Sequence, residues 1–194
     1  MTFRKNCFIL LSIALISFSC SQRNKSRITL SIEKDSEQPN YLDYVIYPCA
    51  FIDIDYYGLI PLLDSPDGDT LLLVQNDSIT ESFHYVALID QASTFFKVIL
   101  LDSFWEEEGE GWISNEHIQI FDRMYSPDDP LILYSMPEIN SIPVYVEESD
   151  SFYSLQVIGF SDKWLKVRFL SEKKDVVGWI SPEMQCCNVF TTCS

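Results

Sequence analysis

Residues 164–181 read WLKVRFLSEKKDVVGWIS and carry the clearest structural pattern in the chain. Two sets of side chains alternate along the first six residues, namely Trp164, Lys166 and Arg168, and Leu165, Val167 and Phe169. Because successive side chains of a strand point to opposite faces, this alternation is typical of a strand buried on one face. The polar turn SEKKD then leads into VVGWIS, so the stretch predicts a β-hairpin.

A diverged copy of this hairpin occurs earlier in the chain. Residues 95–114 read FFKVILLDSFWEEEGEGWIS, in which the Lys-Val pair and the Gly-Trp-Ile-Ser sequence both recur. Upstream of the hairpins, residues 85–89 align with 154–158, and residues 62–66 align with 133–137. A shared order of features at a slowly drifting offset is the signature of an internal repeat.

The repeat unit consists of short strands separated by turns, and no segment has the period of an amphipathic helix. Five or six short strands in about 60 residues bury one face by curling into a small barrel. We therefore predict an all-β fold with these divisions: a signal peptide (1–19), a tether and lead-in (20–49), a first barrel (50–122), a linker (123–130), a second barrel (131–185) and a cysteine-rich tail (186–194). Residues 50–122 are called copy 1 and residues 131–185 copy 2.

The two copies resemble the bacterial SH3-like (SH3b) domain family. Units of this family run through a proline turn and an aromatic-x-Lys-Val strand to a Gly-Trp-Ile strand, and the resemblance covers residues 50–121 and 131–185. The tail, residues 186–193, is similar to that of Bacteroidota-type lipoproteins with tandem modules. The resemblance implies two tandem SH3-like small β-barrels that bind cell-wall peptides or wall-associated enzymes.

The N-terminus has the features of an export signal. Basic Arg4 and Lys5 precede an apolar run, residues 7–18, which is too short to span a bilayer as a helix. The sequence Ser-Phe-Ser-Cys ending at Cys20 resembles a bacterial lipobox and predicts lipidation of Cys20. The same small-x-small pattern also fits cleavage by an ordinary signal peptidase. Either way we expect export, with a lipid-anchored protein in the periplasm or at the outer membrane.

The charge balance excludes some classes of partner. The chain has 13 basic and 29 acidic residues, a formal net charge of −16. Such a surface repels phosphate backbones, so nucleic-acid binding is disfavoured. Binding of anionic lipid through a cluster of basic residues is disfavoured for the same reason. The lipid anchor is therefore the expected membrane contact.

Four cysteines remain once the signal peptide and the lipidation site are set aside: Cys49, Cys186, Cys187 and Cys193. An exported protein meets oxidising conditions, so these permit two disulfides in three possible pairings. Either Cys186 or Cys187 could join Cys193, and Cys49 could reach the tail. The spacing and neighbouring histidines of a zinc site are missing, so we expect no metal and no cofactor.

The sequence offers little for catalysis. A nucleophilic Cys49 with His84 or His117 would need a domain with its own sheet and helices, and we expect the two barrels to leave too little chain for one. Trp112 and Trp179 stand at equivalent places, which favours a shared packing role. The candidate partner contacts are the aromatic and cationic residues Trp164, Lys166, Arg168, Tyr134, Tyr153 and Trp105.

These features favour a non-enzymatic envelope lipoprotein whose modules bind cell-wall peptide, glycan or envelope proteins. The alternative is an acidic inhibitor or structural spacer that docks on a basic partner. The two differ in salt dependence, because docking by surface charge weakens with ionic strength and docking in an aromatic groove does so far less.

Overall fold

A computed structural model describes residues 47–123, 130–147, 153–171, 174–190 and 193. The predicted signal peptide, Cys20, almost all of the predicted tether and most of the predicted linker lie outside these residues. Within the described part of the chain, no helix has the length and hydropathy needed to cross a bilayer.

The described residues form thirteen strands in one antiparallel sheet, which confirms the predicted all-β fold. The first seven are β1 (Cys49–Ile52), β2 (Ile60–Leu63), β3 (Thr70–Val74), β4 (Tyr85–Ala92), β5 (Phe95–Leu101), β6 (Glu107–Ser114) and β7 (Ile118–Asp122). The others are β8 (Leu131–Tyr134), β9 (Pro143–Glu147), β10 (Ser154–Ser161), β11 (Trp164–Ser171), β12 (Lys174–Ile180) and β13 (Gln185–Cys186). Short 3₁₀ turns, Asn115–His117 and Pro182–Met184, precede β7 and β13.

The predicted alternation is present in both hairpins. Strand β11 buries Leu165, Val167 and Phe169, and its side chains at 164, 166, 168 and 170 lie on the other face. Its counterpart β5 buries every second residue in the same way. A Val, Leu or Phe side chain moved fully out of water contributes about 1.5–3 kcal/mol, so this one-sided burial fixes which face looks inward.

The two copies repeat the same pairing scheme. Strands β4, β5 and β6 form one antiparallel meander, and β10, β11 and β12 form the other. Lys97 faces Trp112 in the first, as Lys166 faces Trp179 in the second. A β-bulge interrupts β4 and β10 at corresponding places, next to Leu88 and next to Val157. The repeat is therefore a repeat of geometry as well as of sequence.

The two tryptophans join an outlying hairpin to each meander. Trp112 on β6 pairs with Leu63 of the hairpin β2–β3, and Trp179 on β12 pairs with Tyr134 of the hairpin β8–β9. The strand orders β3-β2-β6-β5-β4 and β9-β8-β12-β11-β10 are thus equivalent. Both indoles are half-buried.

Strand β7 connects the two copies. Along one edge it pairs with β10, and along the other it pairs first with β1 and then with β13. Gln119 accordingly faces Phe51 on one side and Gln156 on the other. The copies are therefore joined by a hydrogen-bonded strand in addition to the chain segment between them, and the described residues all belong to one compact unit.

The four cysteines form two disulfides, as predicted. Cys49 on β1 is bonded to Cys187, 138 residues away, with 5.9 Å between the Cα atoms. Cys186 is bonded to Cys193, seven residues away, with 5.4 Å between the Cα atoms. The sequence left the pairing open, and the structure shows that the first bond ties the start of copy 1 to the end of copy 2.

Buried Asp122 is the last residue of β7. Its Oδ1 accepts a hydrogen bond from the backbone N–H of Tyr153 at 2.7 Å, and its own N–H donates to the Tyr153 carbonyl at 3.1 Å. Its Oδ2 has no hydrogen-bond partner among the described residues. Loss of hydration raises the pKa of Asp122 to about 6, because burial disfavours the charged form.

The long disulfide should contribute more stability than the short one. Loop-closure entropy predicts a loss of about 5 kcal/mol for the double variant C49A/C187A and of about 2 kcal/mol for C186A/C193A. Urea unfolding of the two variants and the parent chain measures both losses. Paired replacement avoids leaving a lone thiol that could exchange with the neighbouring cysteine. Equal losses would show that loop length is not what sets the contribution.

Asp122→Asn should remove a pH dependence. The pKa of Asp122 is higher in the folded state than in the unfolded state. The stability that protonated Asp122 contributes is therefore fully present below its ordinary pKa and is lost as pH rises through about 6. Relative to the parent chain, the variant should gain about 2 kcal/mol in unfolding free energy between about pH 4 and about pH 8. Urea titrations at several pH values measure the difference, and a constant difference across this range would contradict the assignment.

Candidate functional site

The outward side chains of copy 2 form the candidate site. Strand β11 presents Trp164 and Lys166 on the face opposite its buried residues, and β12 presents Trp179 beside them. Tyr134 on β8 pairs with Trp179 and therefore points to the same side of the sheet. We call these four side chains the Trp164 face.

The aromatic rings of the Trp164 face pack against one another. The rings of Trp164 and Tyr134 meet edge to face, with 5.7 Å between their centroids and 84° between their planes. Tyr134 is buried by its neighbours, whereas the two tryptophans remain partly exposed. Rings held in this way lose little side-chain freedom when a ligand stacks on them, which favours binding.

A single ammonium group completes the face. Lys166 lies directly across the hairpin from Trp179, and its Nζ is 6.0 Å from the centroid of the indole ring. Within the described part of the chain, Lys166 makes no ion pair with a carboxylate. The face therefore combines two apolar indole surfaces with a cation that is available to an anionic group.

Copy 1 presents a different surface at the same place. Lys97, the counterpart of Lys166, lies 2.6 Å from Glu110 on the neighbouring strand. Hydrogen bonding to Glu110 raises the pKa of Lys97, so its charge is engaged. The place of Glu110 is taken in copy 2 by Val177, since Glu110 faces Ile99 as Val177 faces Arg168. Among the described residues, the second hairpin's lysine at this place has no carboxylate partner, whereas that of the first has one.

Arg168, a predicted contact on the same strand, is already engaged. Its Nε and one terminal nitrogen donate to the two carboxylate oxygens of Asp175 at 2.7 and 2.5 Å. This bidentate pair raises the pKa of Arg168 and lowers that of Asp175. Arg168 is therefore beside the Trp164 face but has a partner of its own.

The structure does not bring the other two predicted contacts to this face. Tyr153 packs edge to face on Phe169, with 4.9 Å between ring centroids, so it contacts the inward side of β11. Trp105 stacks on Tyr85 of copy 1, with 4.4 Å between centroids and 12° between planes. Its neighbour Phe104 is exposed.

The cysteine and histidines considered for catalysis occupy other roles. Cys49 is bonded to Cys187 and has no free thiol. The ring of His84 lies 3.2 Å from Glu108 and 3.3 Å from the side-chain oxygen of Asn76, and burial lowers the pKa of His84. Among the described residues, no group of three or more His, Cys, Asp or Glu is placed to hold a metal ion.

Sequence reasoning left Trp179 out of the candidate contacts and missed the part played by Val177. The repeat favoured packing over ligand contact for Trp179, and in the structure its ring also faces Lys166. The signal was the difference between the copies, because an acidic residue beside the lysine in copy 1 becomes an exposed valine in copy 2.

Comparisons with known proteins place the chain only distantly. No family model and no curated protein matches it. Among solved structures, NlpC2 from Trichomonas vaginalis is 12% identical and matches 74% of this chain and 49% of its own, at a TM-score of 0.31. NlpC1 from the same organism is 13% identical and matches 78% of this chain and 47% of its own, at a TM-score of 0.29. The chain thus covers about half the length of these NlpC structures.

Proposed function

We propose that this protein is a non-enzymatic, exported envelope lipoprotein whose second SH3-like copy binds cell-wall peptide or glycan, or an envelope protein carrying similar groups. The observation that supports this most directly is the Trp164 face, where two partly exposed indoles lie beside Lys166, which has no carboxylate partner among the described residues. Copy 1 has the same strands but a neutralised lysine, so the proposal assigns recognition to copy 2.

The strand scheme supports the SH3-like assignment. Each copy has a three-stranded meander, an outlying hairpin joined at a tryptophan, and a 3₁₀ turn before its last strand. The sequence resemblance to the SH3b family rests on the same closing hairpin, which the structure forms in both copies.

The chemistry of the face suits wall fragments. Indole rings stack on the apolar faces of sugar rings and on side-chain methylenes, and the Lys166 ammonium matches a carboxylate. Stem peptides and their attached sugars carry both kinds of group. The net charge of −16 disfavours polyanions in general, so a ligand with few, well-placed carboxylates fits best.

Two features support the proposed localisation outside the cytoplasm. The N-terminal sequence resembles a lipoprotein signal that ends before Cys20. The two disulfides agree with a compartment outside the cytoplasm, where such bonds form and persist.

Trp164→Ala should weaken binding of a soluble muropeptide at least tenfold, a loss of about 1.4 kcal/mol, because it removes one of the two stacking surfaces. The matched control is Phe95→Ala, at the equivalent place in copy 1, which should leave binding unchanged. Isothermal titration calorimetry measures both, with circular dichroism to show that each variant is folded.

The dependence of binding on salt concentration distinguishes this function from docking through the acidic surface. Binding at the Trp164 face should fall only modestly when sodium chloride is raised, whereas charge docking falls steeply. A folded parent chain that binds neither muropeptides nor any envelope protein would reject the recognition role.

Cys20→Ser should move the protein from the membrane fraction to the soluble fraction of an expressing bacterium, because it removes the predicted site of the lipid anchor. Cell fractionation and metabolic labelling with a fatty-acid probe measure the change. Cys7→Ser is the matched control, since Cys7 lies within the predicted signal peptide. Unchanged labelling of the Cys20 variant would contradict lipidation at this position.

A further inference from the structure

Strand β3 is an edge of the sheet. It stands at one end of the strand order, and among the described residues β2 is its single partner. In an antiparallel strand about half of the backbone N–H and C=O groups point to each side. An edge strand therefore offers a row of hydrogen-bonding groups to any extended chain that approaches it.

The side chains of β3 are unusually apolar for such an edge. Leu71, Leu72 and Leu73 are consecutive and are 57%, 39% and 54% exposed. Consecutive residues point to opposite faces, so leucines are exposed on both sides of the strand. Leu59, just before β2, is a further exposed leucine nearby in sequence.

The corresponding edge of copy 2 is protected. Strand β9 stands at the other end of the strand order and begins with Pro143, which has no backbone N–H to donate. It ends with Glu147, which pairs with Lys174 at 3.2 Å. Proline and charge are the usual devices that prevent pairing at a sheet edge, and β3 has neither.

The surroundings of β3 are acidic. The turn that precedes it contains Asp64, Asp67 and Asp69, all exposed, and Asp77 follows three residues after its end. Residues 47–96 contain no lysine or arginine. A basic partner is therefore attracted to this edge, and a second copy of the same acidic chain is repelled from it.

A shallow cleft of about 350 Å³ continues from the end of β3. Its walls include Tyr57, Gln75, Asp77 and Ile79. Backbone and hydroxyl donors from Ile79 and Thr80 lower the pKa of Asp77, so its carboxylate stays charged. The cleft can therefore accept one basic side chain from a segment that lies along the strand.

We propose that β3 is a docking edge that takes an extended segment of another protein, with alternating basic and apolar residues, as an additional antiparallel strand. The backbone of β3 supplies the hydrogen bonds, its leucines contact the apolar residues, and the flanking aspartates pair with the basic ones. This site lies on copy 1 and is separate from the Trp164 face.

The test uses the full chain and a defined probe, an acetylated and amidated octapeptide of alternating lysine and valine. Fluorescence anisotropy of the labelled peptide should show saturable binding. L71K/L73K should weaken it at least tenfold, because both changes put positive charge on the edge and keep the backbone intact. The matched control V144K/V146K, on the protected edge, should leave binding within about twofold of the parent chain.

Two further arms decide between strand pairing and simple charge attraction. A peptide N-methylated at alternate residues should bind at least tenfold more weakly, and a peptide of alternating glutamate and valine should not bind. Equal binding of the N-methylated and parent peptides, or of L71K/L73K and the parent chain, would overturn the proposal. So would a concentration-dependent dimer in sedimentation that is lost in L71K/L73K, since the edge would then hold a second copy.

The docking edge of β3 and the muropeptide site at the Trp164 face can be tested independently of each other. Trp164→Ala should leave binding of the lysine-valine peptide unchanged, and L71K/L73K should leave muropeptide binding unchanged. If Trp164→Ala alone abolished peptide binding, the peptide would be docking on copy 2, and the assignment to β3 would be wrong.

Discussion

The structure depends on β7 being hydrogen-bonded along both of its edges. Its pairing with β10 on one side and with β1 and β13 on the other places it in both copies at once. Neither copy can lose this strand without opening the other, so the copies form one unit. The bond between Cys49 and Cys187 reinforces the same junction by tying β1 to the residue after β13. Buried Asp122 is tolerated at the junction because its Oδ1 accepts a hydrogen bond from the backbone N–H of Tyr153, just before β10.

Patterns local in sequence predicted most of this fold, and contacts distant in sequence escaped prediction. The alternation in β11 and the matching hairpins follow from a period of two within a few residues. The pairing of Gln119 with Phe51 joins residues that carry no local mark of each other, so the role of β7 could not be read from the chain. The disulfide pairing is similar, because four cysteines allow three arrangements and spacing alone chooses none of them.

The candidate site was likewise predictable only where its residues are close together in sequence. Trp164 and Lys166 share one face of one strand, which the alternation shows directly. Tyr134 reaches them only because β8 pairs with β12 at Trp179, a contact that needs the fold. The sequence grouped Tyr153 with these residues by its aromatic character, whereas the structure packs it on the inward-facing Phe169.

The two copies keep the same strands and differ in which surface is left open. Copy 1 neutralises its lysine with Glu110 and leaves the leucine edge of β3 exposed. Within the described part of copy 2, Lys166 has no carboxylate partner, and the edge strand begins with Pro143. Because β7 and the buried faces hold both copies in one unit, outward side chains can change in either copy without loss of the shared core. Duplication of a small β unit can thus yield two exposed surfaces of different chemistry on one framework.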